Sequence, residues 1–173
     1  MTLRNSSFAA AILISLTVFP GCGYRLVGTD LSVLPPEIKK IALPPLINNT
    51  NEPNLEQPFS MAVRERFLSI DRFEIIKAKE KADAVITITI TGYNENIPIS
   101  FGSNKNASEY RLELNLDAVV KDAKGETLWY KNNMFVFAEY LVDSDPSVTR
   151  NNEIKAKQAA AQEFARDFFS YLY

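Results

Sequence analysis

The chain carries one thiol, no imidazole and 21 carboxylates, and that inventory narrows its chemistry at once. Without His, neither the Ser-His-Asp and Cys-His nucleophile arrangements nor a His-ligated metal site can be built. The six glycines are too scattered for a phosphate-cradling loop. A carboxylate pair acting as acid and base stays open, but most Asp and Glu must be solvated surface, and spacing singles out no pair. The sole thiol, Cys22, follows Gly21 after an apolar run, Phe8 to Phe19 (FAAAILISLTVF), which Arg4 precedes. A positive start, a short apolar run and a small residue at the cut describe a secretory signal. The run is too short to span a bilayer, which takes about 20 apolar residues. An exported chain with one unpaired Cys would expose a reactive thiol, which acylation removes.

The stretch ending in Gly21-Cys22 resembles a bacterial lipoprotein signal, in which the Cys is acylated and becomes the new N-terminus. Phe19 and Pro20 depart from the usual Leu and small residue. Cys22 is therefore the expected lipidation site, with an ordinary secretory signal and an incidental Cys as the alternative. The expected organisation is a signal peptide over 1–21, a lipidated anchor and linker over 22–36 ending in Pro35-Pro36, and one domain over 37–173. That length buries a sizeable core without disulfide or metal. The charge balance, 19 basic against 21 acidic, gives −2. With no basic run either, nothing points to nucleic acid. No cofactor or metal is expected, and the lipid is the expected membrane link.

These residues need elements to position them. Ile38–Leu43 reads as a strand stopped by Pro44-Pro45, and residues 47–53 (INNTNEP) as a loop. Leu55, Phe59, Val63, Phe67 and Ile70 recur at helical spacing, predicting a helix over about 54–69 with Asn54 as its cap. Phe73–Ala78 reads as a strand and Lys79–Lys81 as a charged turn. Over Ala84–Tyr93, Ile86, Ile88 and Ile90 alternate with Thr87, Thr89 and Thr91, the period of a half-buried strand. Residues 94–108 (NENIPISFGSNKNAS) read as a long polar loop. Tyr110–Val120 alternates again, Asp122 to Gly125 reads as a hairpin turn, and Thr127–Leu141 as a strand broken near Asn132-Asn133. From Arg150 the pattern is helical, with Ile154, Lys157, Ala161, Phe164, Phe168 and Leu172 on one face and an Ala-rich centre. The order predicts an α+β, two-layer sandwich: a mainly antiparallel sheet of about four strands with two helices packed on one face. The Ile86/Ile88/Ile90 face lies under the helices; the Thr and charged face meets water or a partner. Trp129 and the run Phe135–Tyr140 (FVFAEY) are read as core and sheet packing.

Residues 22–28 (CGYRLVG) resemble the start of the LptE family of lipopolysaccharide-assembly lipoproteins. Further resemblances follow in order: a Pro-rich lead, a helix of the form L-x-x-x-F-x-x-x-V-R-x-x-F at 55–67, Glu109-Tyr110 opening a long alternating strand, and an Asn-Asn-Glu stretch after Arg150 opening an Ala-rich helix. The resemblance implies assembly rather than catalysis. It implies a lipoprotein on the periplasmic face of the outer membrane that plugs the β-barrel LptD and contacts lipopolysaccharide in transit. A polar sheet face and a polar loop would suit a wet barrel interior.

Lipopolysaccharide carries phosphates and sugar carboxylates, which basic side chains bind, Arg with two-pronged geometry. The resemblance makes Arg150 the first candidate, since the family has a basic residue just before its C-terminal helix. A cation there is unfavourable to the helix dipole, a local cost that points to another reason for the charge; a solvated Arg is the plain alternative. Lys105 lies in a loop where the family also carries a basic residue, although Phe101-Gly102 replaces the family's Phe-Arg. Arg111 and Lys131 are expected on the outward side of strands near that loop. Ile97, Ile99 and Phe101 are apolar residues in a polar stretch; either they tuck back onto the domain or they insert into a partner. Two other functions fit the same signal and fold: a lipoprotein pilot or chaperone for another outer-membrane machine such as a secretin, and a tethered carboxylate-dependent glycan hydrolase.

Overall fold

The computed structural model describes residues 33–103 and 106–173. Eight elements follow one another: β1 (Lys40–Ala42), β2 (Ile47–Asn48), α1 (Glu56–Leu68), β3 (Glu74–Ile76), β4 (Ala84–Phe101), β5 (Ala107–Asp122), β6 (Thr127–Leu141) and α2 (Pro146–Leu172). The sheet runs β3-β1-β4-β5-β6, with β2 continuing beside β4. β4, β5 and β6 form a long antiparallel meander, while β1, β2 and β3 join in parallel. Both helices pack on one face of the sheet, so the two-layer α+β sandwich stands. The three short parallel strands bring the sheet to six.

The buried layer follows the alternation. Ile86, Ile88 and Ile90 on β4, Leu112, Leu114 and Leu116 on β5, and Met134 and Val136 on β6 face the helices. From α1 come Phe59, Val63 and Phe67; from α2 come Ala160, Ala161, Phe164 and Phe168. The aromatic rings interlock: Phe59–Phe164 at 5.9 Å, Phe67–Phe169 at 5.5 Å and Trp129–Phe168 at 5.8 Å between centroids. Leu34 is buried as well, and the Val33 amide donates to the Leu172 carbonyl at 3.0 Å. The chain therefore enters the domain beside the C-terminus of α2, and packing begins within the stretch read as linker.

Four local expectations are corrected. Residues 94–108 are not a polar loop: β4 runs to Phe101 and β5 starts at Ala107, making one long hairpin. Register shifts between Ile90 and Gly92 and between Asn94 and Ile97 interrupt the pairing. Each such bulge shifts the side-chain alternation, which hid the strand from a period-two reading. Asn96 takes positive φ at the second bulge, and the Tyr140 hydroxyl donates to its side-chain oxygen at 2.8 Å. Likewise β6 is one strand through Asn132-Asn133, and the expected break is a register shift against β5 between Lys131 and Met134; Asn133 has φ 54° and its amide donates to Asp117 Oδ1 at 2.8 Å. Asn54 is not a cap but a left-handed residue before α1. And α2 begins at Pro146, capped by Asp145, whose carboxylate accepts from the Ser147 amide. Ile154 lies off its buried face, exposed, because the interior contacts follow Ala156, Ala160 and Ala161.

Candidate functional site

Asp145 and Pro146 fix the start of α2, and Asn152 ties it to the end of β6 by donating to the Leu141 carbonyl at 3.0 Å. Leu141 pairs with Glu109, and Glu109 with Ser100. The start of α2 and the tip of the β4–β5 hairpin therefore share one end of the molecule. Arg150 sits in the second turn of α2, about 33 Å along the helix from Leu172 at 1.5 Å per residue. It is exposed, and among the described residues it has neither ion pair nor hydrogen bond.

Arg150 borders a groove of about 440 Å³ between the start of α1 and the first half of α2. Met61, 63 % exposed, and Ile154 give the groove an apolar strip, with Pro53 and Pro58 beside them; Gln57, Glu65, Gln158 and Gln162 make the rest of the lining polar. Lys157 closes its inner end. The Lys157 ammonium lies 2.6 Å from both Glu52 and Glu153 and 5.2 Å above the Tyr93 ring. Burial opposes its charge, but the hydrogen bonds to Glu153 and Glu52 outweigh burial and hold its pKa above the ordinary value. Tyr93 donates to Glu95 at 3.1 Å; burial first, then the Glu95 charge, push its phenol upward. Glu52, Glu95 and Glu153 approach within 4.8 Å of one another. They are the natural carboxylate cluster for a metal ion or a hydrolase, yet Lys157 already neutralises two of them. An exposed cation above an apolar groove suits a ligand with an anionic head and an apolar body.

The other expected basic residues do not join Arg150. Arg111 lies outward on β5, 2.6 Å from Glu139 of β6, with its guanidinium 4.7 Å above Phe137. Lys131 was expected on the outward side, but it pairs with Ala118 on the helix side, and its ammonium sits 3.3 Å from the centre of the Tyr171 ring. Lys131 lies eight residues from Glu139, the register partner of Arg111, along β6, about 26 Å at 3.3 Å per residue. Lys105 and Cys22 lie outside the described residues. Ile97 and Ile99 are half-buried on the hairpin, and Phe101 is 63 % exposed near its tip.

One surface was read as core. Trp129, Val136 and Tyr140 do face the interior, but Phe135 and Phe137 are 54 % and 47 % exposed on the opposite face, their rings 6.1 Å apart. Tyr130 and Leu141 extend that outward apolar row along the free side of the sheet. The signal was present: Met134 to Phe137 is apolar at four successive positions, so the strand has two apolar faces and only one helical layer to cover them.

A profile of the lipopolysaccharide-assembly family LptE matches residues 38–172. The chain belongs to the LptE family. A search by sequence among curated proteins gives no match. Among solved structures, rare lipoprotein B from Shewanella oneidensis is similar at 17 % identity, over 76 % of this chain and 95 % of that one, with a TM-score of 0.46. Lipoprotein B from Nitrosomonas europaea shares 14 % identity over 83 % and 88 %, TM-score 0.49, and protein CT253 from Chlamydia trachomatis 12 % over 77 % and 94 %, TM-score 0.49. Among the described residues no helix is long and apolar enough to cross a membrane.

Proposed function

We propose that this LptE-family chain is an outer-membrane lipoprotein, cleaved before Cys22 and acylated there, that binds lipopolysaccharide and assembles with the LptD β-barrel. The observation that carries the ligand is Arg150: an unpartnered cation above a groove with an apolar strip, at the other end of α2 from where the described chain enters the domain. A phosphate of lipid A would meet the guanidinium while an acyl chain lies along Met61 and Ile154. Arg111, held by Glu139 and Phe137, and Lys131, held by Tyr171, serve as lesser contacts that must exchange a protein partner for the ligand. Lys105 is a further candidate, close to Phe101 in the sequence.

Membership in the family supports the barrel partner. So does the hairpin end, where Phe101 is exposed at the tip beyond β6 and Ile97 and Ile99 lie half-buried in the three-stranded part beside it. The test is binding of labelled lipopolysaccharide to the full chain and to Arg150→Ala and Arg150→Asp. A charge-assisted hydrogen bond is worth about 1.5–3 kcal/mol, so Arg150→Ala should weaken binding about tenfold or more, and Arg150→Asp should weaken it further by adding repulsion. Equal binding by all three would remove Arg150 from the site.

A further inference from the structure

At the edge of the sheet formed by β3, opposite to β6, a second cavity of about 380 Å³ opens between α1 and the ends of β1 and β3. Leu43, Pro44 and Ile76 form its apolar wall, and three cations reach it from two elements: Arg64 from α1, and Lys77 and Lys79 from the segment after β3. No carboxylate lines it. Among the described residues none of the three cations forms an ion pair or a hydrogen bond, although Glu80 adjoins Lys79 in the chain. Arg111, Lys157 and Arg166 are each paired with a carboxylate, whereas the three at this cavity, like Arg150, are not; what sets them apart is that they line one cavity together.

In a chain of net charge −2, three uncompensated cations on one cavity repel one another, and an anion would relieve that repulsion. The chemistry of the anion follows from the donors. The Ser60 hydroxyl at the cavity is already committed, accepting from the Leu46 amide and donating to the Glu56 carbonyl. Proline has no amide hydrogen, so the Pro44 wall offers no donor there. Binding must come from the guanidinium fork and two ammonium groups, a set that matches a phosphate with its several acceptor oxygens and near-double charge. We propose that this cavity binds a phosphate group, held by Arg64, Lys77 and Lys79, with Leu43, Pro44 and Ile76 as the wall on which an apolar body attached to it would rest. The site shares no residue with the Arg150 groove and does not depend on the lipopolysaccharide reading.

Such a phosphate could be free or belong to a lipid headgroup, and one experiment separates the two. The full chain is reconstituted in phosphatidylcholine vesicles, with or without phosphatidic acid, and in phosphatidylcholine vesicles with added inorganic phosphate. Acetylation rates of individual lysines are then read by mass spectrometry. Occupancy should slow Lys77 and Lys79 severalfold while leaving the exposed Lys121 and Lys124 unchanged. Protection by phosphatidic acid alone identifies a lipid headgroup; protection by inorganic phosphate identifies the free ion. Arg64→Gln should cost about tenfold or more in the ligand concentration needed, as expected for one lost charge-assisted contact. No protection by either probe, or equal slowing at Lys121 and Lys124, would overturn the site.

Discussion

Lys157 holds together a corner that three carboxylates would otherwise push apart. Its two 2.6 Å contacts bind the loop before α1, through Glu52, to α2, through Glu153. Replacement by Met leaves both carboxylates without a countercharge in a poorly solvated place. The cost should be about 1.5–3 kcal/mol, the range for a hydrogen bond to a charged group, read by chemical denaturation. The sign of the pH dependence follows from the raised pKa. Lys157 contributes fully below its ordinary value of 10.5 and loses that contribution as pH rises through the higher folded value. The gap between wild type and Lys157→Met should therefore stay constant through neutral pH and narrow in strong base; a gap that persisted there undiminished would remove the Lys157 charge as its cause.

Among the elements, β1 depends on one carboxylate for its place. Asp83, just before β4, accepts from the backbone amides of Lys39 and Lys40 at 3.0 and 2.8 Å. Those hydrogen bonds, from Lys40 first, hold its carboxyl below the ordinary value of 3.8. A depressed carboxylate stabilises above its unfolded pKa and stops doing so as pH falls through its folded one. Asp83→Ala should thus be less stable than wild type at neutral pH and equal to it in strong acid. The sheet's two faces predict a second contrast. Ile88→Ala empties a buried site and should cost about 2–5 kcal/mol. Thr89→Ala removes only a cross-strand contact worth about 0.2–1 kcal/mol. Similar values would mean that the helices do not cover the face bearing Ile88. The outward row on β6 behaves differently again, since Phe135 and Phe137 are half-exposed on an edge strand. An apolar edge invites association unless it is covered or charged. Phe137→Lys removes the ring under Arg111 and sets a second cation beside it, so its cost, read by chemical denaturation, should exceed the roughly 0.5 kcal/mol of an isolated surface change.

For the whole molecule, the ends matter more than the faces. The described chain enters beside the C-terminus of α2, while the groove under Arg150 and the hairpin tip lie at the opposite end. Fatty-acid labelling should disappear in Cys22→Ala, and the wild type should fractionate with outer membrane. Label retained by the variant would exclude Cys22. The barrel contact has its own test. Affinity purification from membranes should recover the LptD barrel with the wild type, and Phe101→Glu should recover less of it while folding normally. Recovery of a secretin in place of LptD would favour a pilot protein.

Periodicity carried much of this fold by itself. Phe59, Val63 and Phe67 at helical spacing, and Ile86, Ile88 and Ile90 at strand spacing, set two helices over one face of a sheet because burial rewards a continuous apolar stripe on each element. The missing His and the lone Cys likewise excluded whole mechanisms before any coordinate. What periodicity could not carry was any feature that breaks it. The bulges at Thr91 and near Asn96 shift the alternation, so the hairpin arm read as a loop. Nor could a one-dimensional pattern show that Lys131 turns to Tyr171 or that Arg111 is occupied by Glu139. It could not show that Arg64 meets Lys77 and Lys79 across the end of β1. Those relations join residues distant in the chain, and only the packing of helix on sheet brings their charges within reach of one another.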